Sequence, residues 1–279
     1  MLDAIIQKKL IDEGRTFMKG SRADMPYQKE FESDQMLKRP QPPLVKAPMA
    51  APSAQIELPR DFSSLNHKKS LLELLRDRRS TRVYTQQTLS LLQLSYLLWA
   101  TQGVKGIRGK KYATLRTVPS GGARHAFETY LLVRKVEGLE TGAYHYLPME
   151  HRLEFLHVVD DMEQTITQTL RGQSWAAKAS VVFYWSAVAY RAEWRYGIHA
   201  HRVALIDAGH VGQNLYLACT DLGIGTCGVA AFSHEACCET FSLDGEEEYM
   251  VYTAPVGTCR EADLAEEQSF YSFVEKEGL

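Results

Sequence analysis

Arg76 to Arg82, written RDRRSTR, puts four arginines into seven residues of a chain whose formal net charge is −2. Two kinds of chemistry fit it. Cations in the last turn of a helix complement the helix dipole. A planar guanidinium fork also grips phosphate in bidentate fashion, and Ser80 adds a hydroxyl donor. Three further stretches are unlike ordinary connectors. Arg116-Thr-Val-Pro-Ser-Gly-Gly-Ala-Arg-His125 contains Ser120-Gly121-Gly122, which lets backbone approach a ligand and aim N–H groups at it. Gly223-Ile-Gly-Thr-Cys-Gly-Val-Ala-Ala231 and Pro255-Val-Gly-Thr-Cys-Arg260 follow the longest helical pattern and the last strand-like run. Each of the three is also readable as a plain turn.

Other chemistries lack their residues. No G-x-G-x-x-G opens a helix after a strand, no Walker A is present, and no G-x-S-x-G elbow occurs. Cys227, within the glycine loop, reads as a nucleophile or as a small packing residue. The five cysteines are an odd number without C-x-x-C spacing, against both a disulfide framework and a zinc site. His199-x-His201 has no neighbouring ligand set, so no metal is expected. With 32 basic and 34 acidic residues there is no general field for nucleic acid. No apolar run approaches the roughly 20 residues of a membrane helix. The opening MLDAIIQKKLIDEG reads as an amphipathic helix rather than a signal peptide, so the expected location is cytoplasmic.

The elements that must position these loops follow from patterning. Prolines at 26, 40, 42, 43, 48, 52 and 59 make residues 1–60 a terminal helix plus an extended arm, with Leu44, Val45, Ile56 and Leu58 available for docking. The arm is either disordered or laid across another surface, such as a partner subunit. Residues 61–279 form the globular unit. Ser70-x-x-Glu73 and Ser90-x-x-Gln93 are capping boxes opening two helices, the second running to Gly103, and a Gly- and Lys-rich loop is expected over 103–111. Strands are expected over 129–136, 143–146, 152–159, 180–188 and 248–256, with helices over 161–170, 201–222 and 235–241. Lacking a regular βαβ repeat, this order reads as α+β with a central mixed or antiparallel sheet flanked by helices. Ala204, Ala208 and Gly212 form a stripe of small residues, and Gly209 and Gly212 inside the helix read either as close approach of another backbone or a flat ligand or as simple core packing.

In this order, the four loops resemble those of the FMN-dependent nitroreductases, and within them the SagB-type dehydrogenases related to azoline oxidases. The likeness covers residues 70–260. It implies FMN as cofactor, with NAD(P)H as electron donor, a small-molecule substrate and a homodimer holding FMN at the subunit interface. By this resemblance Arg78, Arg79 and Ser80 hold the FMN phosphate, and Arg82 lies near N1/O2 of the ring. Pro119, Ser120 and Gly121 reach the flavin from the other subunit. Backbone N–H groups around Gly228, Val229 and Ala230 face the N5/O4 edge, and Arg260 is a further phosphate ligand. The stripe on helix 201–222 becomes the close-packed centre of the dimer.

A fixed guanidinium stabilises the negative charge of a reduced flavin. The cofactor carries the hard step, which accounts for the lack of an acid–base triad. In azoline-oxidising members a Lys-Tyr pair supplies the base, whereas Arg195-Tyr196 stands here. Arginine stays charged and is a poor proton acceptor. Tyr196 is therefore the candidate catalytic residue, its other reading being a packed aromatic. The expected activity is hydride transfer between NAD(P)H and a small electron-poor substrate. The alternatives are a heterocycle dehydrogenase acting on a modified peptide and a non-catalytic flavin-binding subunit.

Overall fold

The computed structural model describes residues 4–19, 31–49, 51, 54–65, 69–260 and 276–277. Pro26, Pro52 and most of residues 261–279 lie outside the described residues. Helix α1 (Ala4–Lys19) is the amphipathic helix expected at the start, and β1 (Gln55–Glu57) is a short strand within the proline-rich arm. Helices α2 (Leu71–Asp77) and α3 (Leu91–Gln102) open on the two capping boxes. Ser70 accepts from Glu73 N, Ser90 accepts from Gln93 N, and each N3 side chain reciprocates.

The loop expected over 103–111 is instead a hairpin of β2 (Val104–Arg108) and β3 (Ala113–Arg116), turned through Gly109 and Lys111, both at φ +61°. Then come β4 (Phe127–Val133), β5 (Gly142–Leu147), β6 (Arg152–His157) and α4 (Met162–Thr169), whose first turn Asp161 caps. Strand β7 (Val181–Val188) runs into α5 (Ala189–Tyr196), a helix absent from the sequence expectation. Helix α6 (Ala200–Leu222) stops at Gly223 in the left-handed region. After it come β8 (Ile224–Thr226), α7 (His234–Phe241) and β9 (Glu248–Thr258).

Seven strands form one antiparallel sheet in the order β1-β6-β5-β4-β7-β9-β8. Alternation along β4 sorts its two faces. Leu131 and Val133 join Phe183, Trp185, Leu94, Leu97, Leu98, Val211 and Leu215 beneath α3 and α6. Tyr130 and Leu132 join Tyr184, Met162, Ile166 and Phe241 beneath α4 and α7. The sheet is thus covered on both sides, which is why β4 and β7 read as continuous apolar runs. Leu94, Leu97 and Leu98 are fully buried, each worth about 1.5–3 kcal/mol in area removed from water. No helix among the described residues is long and apolar enough to cross a membrane.

The stripe on α6 corrects the expectation of a dimer centre. Ala204 and Ala208 are 5% and 7% exposed and belong to this protomer's own core. A Cβ on Gly212 would lie 2.7 Å from the Tyr252 ring of β9, so the small residues let α6 settle onto its own sheet. The outer face of the helix presents Leu205 and Ile206, 50% and 57% exposed.

The described part of the arm lies across its own chain. Gln35 N donates to Trp194 O, Trp194 Nε1 to Arg39 O, and Arg191 Nε to Pro43 O. Where prolines interrupt the arm before β1, the buried Trp194 and Arg191 side chains serve its carbonyls in place of strand partners.

Candidate active site

The arginine end of the site is organised by α6. Tyr216, one turn and a half before the helix ends, points its hydroxyl at two loops. It lies 2.9 Å from Ser80 Oγ and accepts from Gly228 N at 2.7 Å. The Arg78 guanidinium stacks over the Tyr216 ring at 5.3 Å. Thr81 N donates to Thr226 O, which clamps the RRSTR segment along β8. A Cβ on Gly228 would collide with the Tyr252 hydroxyl, so only glycine lets the chain pass between these tyrosines. Burial, then Tyr216 and Cys227, push the Tyr252 pKa up, keeping it neutral.

Arg78 and Ser80 are half-buried and Arg79 is exposed, and neither arginine pairs with a carboxylate among the described residues. The Arg82 guanidinium lies 5.9 Å over the Trp175 ring. Of the expected backbone donors, Gly228 N is engaged by Tyr216, and Val229 N donates to Thr253 O at 2.8 Å. Ala230 is exposed. The β8–β9 register pairs Ile224 with Thr258 and Thr226 with Val256. Arg260 therefore lies on the Gly223 side of β8, whereas Ser80 and Gly228 meet on the Thr226 side. Cys227 is 3% exposed, with Sγ toward Gly228 O, an arrangement that fits packing. His201 bonds Tyr249 and Glu193, and the described residues hold no metal-binding cluster.

Pro119, Ser120 and Gly121 sit elsewhere on α6. Gly121 N donates to both Asp207 oxygens at 3.1 and 3.2 Å, and the Ser120 hydroxyl donates to the same carboxylate. Burial raises the Asp207 pKa, and these two bonds oppose the shift. Ser120 Oγ also accepts from His125 N at 2.9 Å. Burial, then Arg116 and Arg124, hold the His125 pKa down at about 3, so its ring is neutral near pH 7. Tyr196 closes α5 before Gly197 at φ +44°, and its ring lies against Gly121. Asp207 and Tyr216 are nine residues apart on one helix, roughly 14 Å along its axis. The structure gathers Arg78, Ser80 and Gly228 at one station, and Pro119 to Gly121 with Tyr196 at another.

Sequence reasoning missed Tyr216, Tyr252 and Asp207. Asp207 had a signal, since it shares a face with Ala204, Ala208 and Val211, and a carboxylate on a buried helix face needs a reason. Tyr216 had none, because a tyrosine in a long helix reads as packing.

An antiparallel sheet flanked by helices, with one long helix across it and glycine loops at that helix's two stations, makes this an α+β protein. The chain belongs to the Nitroreductase family, whose sequence pattern matches residues 75–258. It is 36% identical over 188 residues to the protein named "Putative nitroreductase MJ1384" of Methanocaldococcus jannaschii, covering 67% of this chain and 90% of that one. It is 31% identical over 113 residues to the trifolitoxin-processing protein TfxB of Rhizobium leguminosarum, covering 39% of this chain but only 30% of TfxB. Among solved structures, a nitroreductase-type protein of Ralstonia eutropha matches with TM-score 0.61 and 27% identity, covering 80% of this chain and 98% of the other.

Proposed function

We propose that this oxidoreductase uses FMN to pass hydride between NAD(P)H and a small electron-poor organic substrate, as a homodimer with FMN at the subunit interface. The observation that carries this reading is the separation of the two stations on α6. Phosphate-type donors lie at one and a glycine turn with a tyrosine at the other, roughly 14 Å away along the axis, an arrangement that supports two half-sites each completed by a second copy.

The residues fit the cofactor. Arg78 and Arg79 offer forks with no carboxylate partner among the described residues, beside the Ser80 hydroxyl. The cradle at Gly228 admits no side chain, and Ala230 presents an exposed backbone. FMN, when bound, supplies hydride acceptance and donation at its N5 atom. The chain's own task is then limited. Arg78, Arg79 and Ser80 hold the phosphate, and Tyr216 fixes Ser80 and Gly228 relative to one another. Asp207 anchors the Ser120-Gly121 turn in the shape it presents to the partner's site. Because Asp207 already takes Ser120 Oγ–H and Gly121 N–H, that turn meets a flavin through Pro119 and its backbone surface. In this reading Tyr196 exchanges a proton with substrate, and its hydroxyl, which lies against Gly122 in the turn, supports that role.

A second reading, a dehydrogenase for heterocycles in a modified peptide, draws support from the likeness to TfxB, whose name describes toxin processing. Arg195 counts against it, since the position before Tyr196 then lacks a neutral base. Anaerobic spectroscopy separates the readings. The purified protein is expected to show oxidised-flavin absorbance, released as FMN on denaturation and bleached by NADH or NADPH. A colourless protein that gains no spectrum with added FMN sinks both. Bound flavin that neither nicotinamide bleaches, but an azoline peptide does, selects the second.

A further inference from the structure

We propose that the cavity between β2, α5 and the Ser120–Ala123 turn is the substrate pocket, and that Arg108 and Arg195 recognise a carboxylate on a small organic substrate. This rests on the reading above, which makes that turn part of the catalytic site, and it adds the substrate's charge and class. The cavity, about 360 Å³, has Arg108, Tyr112, Ser120, Gly122 and Arg195 among its walls. That volume is at the small end of ligand sites, which run from about 300 to 1,000 Å³.

Two guanidiniums from different elements face this space, and neither pairs with a carboxylate among the described residues. Arg195 is held rigid: its Nη1 donates to Gln35 Oε1 at 3.0 Å and to Tyr112 OH at 2.9 Å. A third cation, Arg124, packs over Tyr112 at 4.9 Å and Trp194 at 5.2 Å, and donates to Gly122 O and Tyr112 O. From Arg78 to Phe127 the chain contains nine lysines and arginines and no aspartate or glutamate. Asp207, the carboxylate nearest the turn, points both oxygens at Gly121 N. Like charges gathered without counter-charge are relieved by an anion. Lys110 and Lys111, exposed at the hairpin tip, extend the positive field that draws one in.

The donors select the type of anion. A phosphate site of the backbone-nest kind needs several free N–H groups. Here Gly121 N donates to Asp207, Ala123 N to Ser120 O, Arg124 N to Gly121 O and His125 N to Ser120 Oγ. With those four engaged, the cavity's charged donors are the planar forks of Arg108 and Arg195, which match a planar carboxylate. Position follows as well. A Cβ on Gly122 would collide with Arg195 Nε and lie 2.9 Å from the Tyr196 hydroxyl. A carboxylate held by Arg195 therefore keeps the rest of its substrate beside Tyr196.

Calorimetry of 4-nitrobenzoate and the neutral 4-nitrobenzamide against the protein as purified tests this without turnover. The benzoate is expected to bind at least tenfold more tightly. Arg108→Gln and Arg195→Gln are each expected to weaken the benzoate about tenfold and to move the amide less than twofold. The Arg108 side chain makes no bond that holds the fold among the described residues, so its variant stands even if Arg195→Gln disturbs the Tyr112 contact. Equal affinity for the two ligands, or benzoate binding insensitive to Arg108→Gln, overturns the proposal. So does a rise confined to the Kd of NADPH relative to NADH, which would give the pocket to the donor's 2′-phosphate. Carboxylate selectivity without NAD(P)H-dependent nitro reduction would instead sink the catalytic reading and leave the pocket assignment standing.

Discussion

At the residue scale, the arginine station depends on fork geometry rather than charge. Arg78 is stacked on Tyr216 and half-buried, so its plane is fixed before any ligand arrives, which reduces what binding must order. Replacing Arg78 and Arg79 together by lysine keeps both charges and removes both forks. A charge-assisted hydrogen bond contributes about 1.5–3 kcal/mol, so FMN affinity is expected to fall at least tenfold, read by flavin fluorescence titration. An unchanged Kd would show that neither arginine grips phosphate. The sequence alone leaves this stretch open between helix-end cations and an anion site, and the resemblance of the four loops is what favours the second. Less legible was the division of labour, because Gly228 N and Val229 N are engaged by Tyr216 and Thr253, partners remote in sequence.

At the element scale, the arm and the sheet meet over a buried charge network. Glu128 on β4 takes Arg191 Nη2 of α5 at 2.5 Å, and the His145 ring of β5 bridges Glu128 and Glu154 at 3.1 and 2.6 Å. The arm completes it. Lys46 N donates to Glu128, Met49 N to Glu154, and Lys46 Nζ pairs with Glu248 at 2.6 Å. Burial pushes Glu128 up, yet Arg191, His145 and Arg116 outweigh it and hold the carboxyl well below 4.5. For His145 burial lowers the pKa, and bonds to Glu128 and Glu154 carry it above 6.5. A raised imidazole contributes stability that is complete below pH 6.5 and lost as pH rises through the folded value. Breaking a buried pair costs about 3–5 kcal/mol. The melting-temperature gap between wild type and His145→Gln is therefore expected to be widest near about pH 6 and to narrow towards about pH 9. A gap constant across that range would mean that His145 is neutral and only packs. The prolines correctly forbade helix and central strand here. They said nothing of β1 pairing at the sheet edge, nor of buried glutamates serving the arm's backbone, and the β2–β3 hairpin was hidden by its glycines and lysines.

At the scale of the whole molecule, the proposed dimer explains why one chain carries two half-sites. Helix α6 turns its small residues inward and leaves Leu205 and Ile206 outside, while α2 exposes Leu71, Leu72 and Leu75 at 63%, 75% and 51%. Exposed apolar side chains on two helices are an area that association would bury. The order of the loops was legible in the sequence, and their separation along α6 was not, since it depends on three-dimensional placement. Complementation turns that separation into a test. Arg78→Lys with Arg79→Lys damages only the phosphate half, and Gly121→Ala, whose new Cβ would collide with Val203, damages only the turn. Each homodimer has two defective sites. In a two-fold heterodimer the lesions fall together in one site and leave the other intact. Unfolding and refolding an equal mixture makes about half the dimers mixed, so about a quarter of wild-type flavin occupancy should return. If both half-sites served a flavin within one chain, every chain in the mixture would still carry a lesion. Occupancy would then stay at the level of the separate variants, and the interface site would be wrong.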